Sequence, residues 1–328
     1  MISRSDLMQN KNLCRDRACG CLIGLAIGDA FGDAARTAEN HFLYGITTDF
    51  REGVPVAGTD DTEFALLTAQ TLIEANGELG ERHVLEAWRK HILNLEVLNR
   101  GGASEREAAA NLRRGLLPPL SGQYNSHYMS DGAAMRVAPI GIVCAGDPAR
   151  AARLAEIDAS LSHWRDGIWG AQAVAAAVAV AMTGATVNEI IDSAMQVIPG
   201  DSWLYHNFSK AWQIIAASVS LEEAWMPLHN ALWSEYKAVV PEALAEAFAV
   251  FKLTNGDFKK GIIYAGNFGR DADTIAAIVG ALSGAMNGLV AIPPAWIDKC
   301  RFPNGTCLPF TKGLDIKEIA VALAELVK

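Results

Sequence analysis

The stretch GRDADTIAAIVGALSGAMNG, residues 269–288, places two aspartates and a threonine directly ahead of a long apolar segment. Gly280, Gly284 and Gly288 recur at every fourth position within it. A glycine inside a helix costs about 1 kcal/mol relative to alanine, so a stripe of three should be offset by another interaction. A face without Cβ atoms lets another helix approach closely. The stretch therefore predicts a tightly packed helix with carboxylates at its N-terminal end.

A second glycine stripe has the same spacing near the start of the chain. Gly20, Gly24 and Gly28 lie four residues apart in GCLIGLAIGDA, and Asp29 ends the stripe. The pattern indicates another closely packed helix, which is a structural role for the glycines themselves. The polar residues at the ends of the two stripes are the candidates for chemistry.

GTDDT, residues 58–62, is a second Asp/Thr cluster, ahead of an apolar helix predicted to begin near Glu63. Aspartate and threonine are favoured N-caps, and a carboxylate near a helix N-terminus gains about 0.3–1 kcal/mol. One cap needs one residue, however, and clustered aspartates repel each other unless a cation lies between them. Carboxylate and hydroxyl oxygens are hard ligands that suit Mg²⁺, Mn²⁺ or Ca²⁺. The two clusters predict either a divalent metal site, if the fold brings them together, or paired helix caps.

Helical periodicity dominates the rest of the chain. In EFALLTAQTLIEANG the residues Ala65, Ala69, Leu72 and Ile73 fall on one helix face. Other helix-like segments are GERHVLEAWRKHILNLEVL, ASEREAAANLRRG, DPARAARLAEIDASL, VNEIIDSAMQVI, SLEEAWMPLHNALWSEYK, PEALAEAFAVFKL and DIKEIAVALAELVK. With 328 residues, 51% of them hydrophobic, the chain can bury a large core. We predict an all-α fold in a single compact domain, residues 1–328.

Charge and hydropathy narrow the possible partners. Acidic residues outnumber basic ones 37 to 28, giving a net charge of −9 without a dense basic tract, so we expect no nucleic-acid partner. The apolar segment of residues 167–187 is alanine-rich and interrupted by Gln172, so we interpret it as a buried helix rather than a membrane span. The N-terminal segment lacks the apolar core of a secretory signal, and we expect a cytoplasmic protein.

The six cysteines do not form a recognisable metal or disulfide pattern. Cys14, Cys19 and Cys21 have the spacing C-x4-C-x-C, which is not a usual zinc spacing. A chain of this length does not need disulfides to be stable. We predict reduced, mostly buried thiols.

Five motifs together resemble the ADP-ribosylglycohydrolase family. They are GCLIGLAIGDAFG, GTDDTEFALLTAQTL, SDGAAMRVAPIG, LSHWRDGIWGAQ and GRDADTIAAIVGALSGAMNG, in this order and at these separations. The resemblance covers about residues 18–290, and the two Asp/Thr motifs are specific only in combination. It implies an all-α fold with a binuclear Mg²⁺ or Mn²⁺ centre. The implied reaction cleaves the bond between the anomeric carbon of ADP-ribose and a nitrogen or oxygen acceptor.

The resemblance also implies roles for individual residues. The metal ligands would be Thr59, Asp60, Asp61, Asp271, Asp273 and Thr274, with Asp61 and Asp273 also taking part in catalysis. The segment MSDGAAMR, residues 129–136, would form a ligand-binding loop through Ser130, Asp131, Gly132, Met135 and Arg136. His163 in LSHW would line the cleft near the distal ribose or diphosphate, although by itself it would be interpreted as a hydrogen-bonded core histidine.

Three positions depart from the family pattern. Many members have a glutamate where this chain has Arg36, which leaves the usual acid or base in doubt and makes nearby Asp33 a candidate for proton transfer. A guanidinium could instead bind a phosphate or carboxylate of the substrate, or it could be a solvated surface charge. Asp131 replaces a common asparagine, and Arg100 stands where an acidic residue is expected.

These observations leave three functions open. The first is a metal-dependent hydrolase of N- or O-linked ADP-ribose with two Mg²⁺ or Mn²⁺ ions. The second keeps the fold and metals but acts on a free riboside or small nucleotide, as the three substitutions suggest. The third is a non-catalytic member that binds a ligand or serves a structural role. Retention of all predicted ligands argues against the third, and the oligomeric state stays undetermined.

Overall fold

The computed structural model describes residues 2–36, 45–53 and 56–328. Within these ranges the chain is helical, and its only β pairing is an isolated bridge between Ser130 and Val239. The α-helices in these ranges are α1 (Arg4–Gln9), α2 (Lys11–Ala35), α3 (Asp60–Glu74), α4 (Glu81–His91), α5 (Ala103–Arg113), α6 (Leu120–Gln123), α7 (Ala138–Val143), α8 (Pro148–Ala159), α9 (Asp166–Ala181), α10 (Val187–Met195), α11 (Trp203–Ala217), α12 (Leu221–Leu232), α13 (Val240–Leu253), α14 (Phe258–Gly266), α15 (Ala272–Asn287), α16 (Pro294–Cys300) and α17 (Ile316–Ala324).

The predicted all-α fold is confirmed, and the helix-like segments of the sequence all contain helices. Among the helices that were not predicted from the sequence, α11 and α14 are the two longest. Several aromatic residues in α11 and two glycines in α14 have low helix propensity, which hides the pattern. Both begin with a side-chain N-cap, from Ser202 and Asp257, and both bury an apolar face. Tertiary packing therefore stabilises them against their propensity.

The two glycine stripes pack against each other in antiparallel fashion. A Cβ built on Gly24 would lie 2.2 Å from the carbonyl oxygen of Gly280, and one on Gly284 would lie 2.0 Å from that of Gly20. Further along, Gly28 faces Ala276 in the same way. These distances allow no side chain on either face, so the predicted close approach is confirmed. The sequence did not show that each stripe is the partner of the other.

The other apolar segments form the core around this pair. Helix α9, within the predicted segment of residues 167–187, is buried on nearly all sides. By length and composition α2 could also cross a bilayer, yet 89% of its most apolar window is buried inside the protein. A core helix of this composition meets the same criteria, so the observation is weak evidence for a membrane span. The six cysteines are free and buried, as predicted.

Candidate active site

The glycine contact places the end of α2 beside the start of α15. A Cβ on Gly32 would lie 2.2 Å from the carbonyl oxygen of Ala272, so the last turn of α2 meets the first turn of α15. Arg36, which follows the last turn of α2, therefore lies against Asp271 and Asp273. The tight packing of two apolar helices thus determines where the acidic residues meet.

Asp29 connects the first glycine helix to the GTDDT motif. Its Oδ2 accepts hydrogen bonds from the backbone N–H groups of Thr59 at 2.8 Å and Thr62 at 3.1 Å, and from the Thr62 hydroxyl at 2.5 Å. Asp29 is fully buried, and its carboxylate pairs donors at the N-terminus of α3 that would otherwise lack partners. Asp29 is therefore a positioning residue that holds Asp60 and Asp61 in place.

We expect Asp29→Ala to lower the free energy of unfolding by about 3 kcal/mol, since it leaves buried N–H donors without an acceptor. Chemical denaturation at neutral pH would measure the change. Asp33→Ala, one turn further along α2 and partly exposed, is the matched control and should cost about 1 kcal/mol or less. Equal losses for the two variants would contradict the positioning role.

A left-handed turn delivers the second Asp/Thr cluster. Gly269 and Arg270 have φ values of +86° and +58°, directly before Asp271 at the N-cap of α15. The Arg270 guanidinium donates to Glu242 Oε2 at 3.1 Å and also to the carbonyl oxygen of Ser234. These bonds offset the unfavourable backbone conformation at Arg270. The turn is thus held by Ser234 and Glu242, which do not line the acidic cavity described below.

Both clusters open into one cavity of about 160 Å³. The predicted site residues that line it are Arg36, Asp60, Asp61, Ser130, Asp131, Gly132, Met135, Asp271, Asp273 and Thr274. The structure thus brings together two Asp/Thr motifs that are far apart in the sequence. Thr59, Arg136 and His163 are buried outside the lining of this cavity, and Asp33 lines a separate neighbouring cavity of about 280 Å³.

The carboxyl groups of the cavity destabilise each other's charged forms. Burial, followed by repulsion from neighbouring carboxylates, raises the pKa values of Asp60, Asp61 and Asp131 well above their usual range. Burial and Asp271 raise the pKa of Asp273 to about 7, against the opposing effect of Arg36. Among the described residues, Asp61 Oδ2 and Asp131 Oδ2 have no hydrogen-bond partner. Such a cluster favours binding of protons or of another cation.

These shifts predict a pH dependence of stability for the metal-free protein. The folded-state pKa of Asp273, about 7, exceeds its ordinary value of 3.8, so the folded protein binds protons more tightly than the unfolded chain between these values. The acid cluster should therefore lower the free energy of unfolding as pH rises through this window. Thermal unfolding in chelator at about pH 5 and pH 8 measures the effect.

The comparison variant is Asp61→Asn, whose carboxamide does not ionise. It should make the free energy of unfolding less dependent on pH. The control Asp298→Asn, at an exposed position of α16, should behave like the parent. A parent whose stability changes between pH 5 and pH 8 in the same way as that of Asp61→Asn would contradict the assignment. His163 contributes in the opposite direction in all three proteins, because burial holds its pKa well below the usual value.

The donor set fits a hard divalent cation, although the side chains do not surround one as they stand. Carboxylate and hydroxyl oxygens converge on the cavity, and two buried carboxylate oxygens lack partners. In the described part of the chain, however, no three His, Cys, Asp or Glu side chains are arranged so that they could hold a metal ion. One physical reason is that the Arg36 guanidinium lies against Asp271 and Asp273. The two predicted Mg²⁺ or Mn²⁺ ions stay a prediction.

A closed hydrogen-bond network lies behind the ligand-binding loop. The Ser104 hydroxyl donates to Glu105 Oε2 at 2.7 Å, and the Ser130 hydroxyl donates to Ser104 at 2.7 Å. His163 Nε2 is 2.9 Å from Ser130 Oγ and therefore donates to it, while His163 Nδ1 is 2.7 Å from Ser162 Oγ. His163 is thus a neutral, buried histidine that positions Ser130.

Arg136 closes this network. It contacts Glu105 at 3.3 Å and Asp158 at 2.7 Å through two of its guanidinium nitrogens, and it donates to the Ser162 hydroxyl at 3.0 Å. Its side chain is buried behind the cavity lining, and the predicted contact of Arg136 with a substrate stays a prediction. The network fixes the side of the cavity that faces Asp60.

Several residues at the cavity were not predicted from the sequence, among them Glu105 and Tyr236 in its lining and Lys237 beside it. Glu105 is a buried carboxylate: a Cβ on Gly102 would lie 2.3 Å from its Oε2 and 3.5 Å from Asp60 Oδ2. Tyr236 lines the cavity, and Lys237 Nζ is 2.7 Å from Asp271 Oδ1. The glycine pair before α5 was a possible signal for Glu105, since glycine leaves room for a carboxylate. Nothing in the sequence indicated the other two.

The fold and the site define a class, an all-α protein with an acidic cavity between two helix N-termini. The family model for ADP-ribosylglycohydrolase matches residues 10–328. An uncharacterized protein of Archaeoglobus fulgidus is 34% identical over 288 residues, covering 85% of this chain and 89% of that protein. The ADP-ribosylarginine hydrolase Tri1 of Pseudomonas putida is 28% identical over 296 residues, covering 87% of this chain and 74% of that protein.

Two further comparisons agree. The ADP-ribosyl-[dinitrogen reductase] glycohydrolase of Rhodospirillum rubrum is 26% identical over 299 residues, covering 87% of this chain and 90% of that protein. A solved structure titled ADP-ribosylglycohydrolase-related protein complex has the same fold, with a TM-score of 0.68, 23% identity, and coverage of 97% of this chain and 100% of the other. The chain belongs to the ADP-ribosylglycohydrolase family. It is a hydrolase of that family, and the resemblance predicted from the motifs is confirmed over a longer range.

Proposed function

We propose that the protein hydrolyses the N- or O-glycosidic bond at the anomeric carbon of an ADP-ribose-containing substrate, and that the reaction depends on divalent cations. The observation that carries the proposal is the convergence of Asp60, Asp61, Asp131 and Asp273 on one cavity, with buried carboxylate oxygens that lack partners. A structural cluster would pair these oxygens with donors of the chain. The names of the relatives support the substrate class.

The ligands proposed for the cations are Asp60, Asp61, Asp271, Asp273 and the hydroxyls of Thr59 and Thr274. Bound divalent ions supply charge that holds ribose hydroxyls and lowers the pKa of a coordinated water. Ser130, Asp131 and Gly132 also line the cavity, where hydrogen bonds to the ribose can form. An acidic protein that binds a diphosphate also benefits from the positive charge of such ions.

Glu105 is the proposed proton acceptor for the attacking water. Arg36 and Arg100 stand at two positions where the family pattern has acidic residues, and both donate to Asp33 Oδ1, at 2.9 and 2.6 Å. Asp33 is therefore engaged in ion pairs and lines a different cavity. Glu105 lines the acidic cavity, and Ser104 and Arg136 orient its carboxylate. A positioned carboxylate is suited to general base chemistry at an anomeric carbon.

The size of the cavity favours a second candidate, a smaller riboside. A volume of about 160 Å³ is below the range of roughly 300–1,000 Å³ typical of ligand pockets. It accommodates the reacting ribose, while the adenosine part of ADP-ribose would have to lie outside it. A free riboside or small nucleotide therefore stays an alternative substrate on the same fold.

The test is the release of ADP-ribose from ADP-ribosyl-arginine and from an O-linked serine conjugate, beside the release of base from a simple nucleoside. The proposal predicts Mg²⁺- or Mn²⁺-dependent turnover of at least one ADP-ribose conjugate, with loss of turnover in chelator. Turnover of the nucleoside alone would favour the second candidate. Absence of turnover for every substrate, in a protein that binds the cation, would favour a non-catalytic member.

A further inference from the structure

Two basic side chains lie on one half of the acidic cavity. Arg36 Nη1 lies 2.5 Å from Asp273 Oδ1 and 3.4 Å from Asp271 Oδ1, while Lys237 Nζ lies 2.7 Å from the same oxygen of Asp271. Two carboxylates therefore face two cationic groups. We call this part of the cavity the Asp271 half, and the charges of its two motif aspartates are balanced by the chain itself.

The other half is formed by Asp60 and Asp61, and we call it the Asp60 half. Its carboxylates differ in their contacts with basic side chains. Asp61 Oδ2 is buried and lacks a hydrogen-bond partner among the described residues. Asp131 Oδ2 is also buried without a hydrogen-bond partner, but Asp131 lies beside Asp271 rather than in the Asp60 half. The salt bridges formed by Arg36 and Lys237 at the cavity go to Asp33, Asp271 and Asp273, and none goes to Asp60 or Asp61 within the described ranges. Of the two Asp/Thr motifs, only the one in the Asp60 half has aspartates without a salt bridge among the described residues.

Arg36 is held in this position from behind. Its Nη2 donates to Asp33 Oδ1 at 2.9 Å, and Asp33 in turn accepts from Arg100 at 2.6 Å. A guanidinium is always charged, planar and able to bond several carboxylates through fixed donors. Arg36 can therefore bridge Asp33, Asp271 and Asp273 at once, as a cation between carboxylates does. This gives Asp33 a positioning role.

We infer that the Arg36 guanidinium takes the place of one of two divalent cations, so that the protein binds a single divalent ion, in the Asp60 half. The inference rests on the proposed function, because it assumes that the cavity binds divalent cations. It narrows the proposed ligand set, because the Asp271 half would take no ion of its own. Lys237 contributes the second positive charge there, from a partly exposed position.

The experiment is to measure the stoichiometry and magnetic coupling of Mn²⁺. Equilibrium dialysis with elemental analysis should give about one Mn²⁺ per chain for the parent, with the electron paramagnetic resonance spectrum of an isolated ion. Arg36→Glu removes the guanidinium and adds a carboxylate, so it should bind about two Mn²⁺ per chain and show a coupled pair. Arg36→Gln, which removes the guanidinium without adding a carboxylate, should also gain an ion.

Arg36→Lys is the matched control, because it retains a positive charge and should keep the parent stoichiometry. Asp61→Asn should lose the parent's ion, which locates it in the Asp60 half. Circular dichroism establishes that each variant is folded, and two gain-of-ion variants keep the test valid if one fails to fold.

A parent with about two coupled ions would overturn the inference and leave the proposed cation dependence standing. Folded Arg36→Glu and Arg36→Gln proteins that both keep a single ion would also overturn it. A parent and variants that bind no Mn²⁺ would instead overturn the proposed cation dependence itself. The two failures are therefore distinguishable by stoichiometry alone, without an activity measurement.

Discussion

Replacing Gly280 by valine is expected to prevent the chain from folding. A Cβ at this position would lie 2.0 Å from the carbonyl oxygen of Gly24 and 2.7 Å from its carbonyl carbon, and backbone atoms cannot move aside as a flexible side chain can. Overpacking of a core typically costs about 1–3 kcal/mol, and a forced separation of two buried helices should exceed that range. Soluble yield and circular dichroism measure the outcome.

Gly200→Ala is the control for this prediction. Nothing lies within 4 Å of a Cβ built on Gly200, and this position does not need a left-handed backbone, so the variant should fold like the parent. Gly280→Ala gives an intermediate case with a single added carbon. A Gly280→Val protein as stable as Gly200→Ala would show that the glycine contact is not required for the fold.

Replacing Glu105 by glutamine is expected to lower kcat by about 10²–10⁴-fold, the usual contribution of a positioned general base. The amide keeps the size of the side chain and can still contact Ser104, but it cannot accept a proton from water. Substrate affinity should change less than kcat, because Glu105 acts on the reacting water rather than on the ribose. Steady-state kinetics on the best ADP-ribose conjugate tests this prediction.

Glu107→Gln is the matched control, since Glu107 lies on the same helix, pairs with His127 and does not line the cavity. Circular dichroism of both variants separates a loss of chemistry from a loss of folding. A Glu105→Gln enzyme with parental kcat, or one whose loss equals that of Glu107→Gln, would contradict the assignment.

The fold was predictable because two simple signals agree. Apolar spacing indicated helices, and the glycine stripes required a partner helix at backbone distance. That each stripe is the partner of the other was not readable, because the spacing describes one face of one helix and contains no information on what covers it. The same limit applies to α11, whose aromatic residues hide a helix that is stable only in its tertiary context.

The site was predictable in part. Aspartates and threonines clustered ahead of apolar helices indicated that carboxylates meet, and the structure brings Asp60 and Asp273 to one cavity. The roles of Arg36 and Lys237 depend on contacts with residues distant in the chain, which no local pattern indicates. His163 illustrates the reverse case, because its own sequence context suggested a hydrogen-bonded core histidine, which is how the structure places it.

The central claim, that the acidic cavity binds ADP-ribose with the help of a divalent cation, is tested most directly by calorimetric titration. ADP-ribose is titrated into the protein with Mg²⁺ present, then after chelation, and then into the Asp60→Ala variant with Mg²⁺ restored. We expect ADP-ribose binding that is lost on chelation and absent in Asp60→Ala. Binding of equal strength with and without the cation, or no ADP-ribose binding in a protein that takes up the ion, would contradict it.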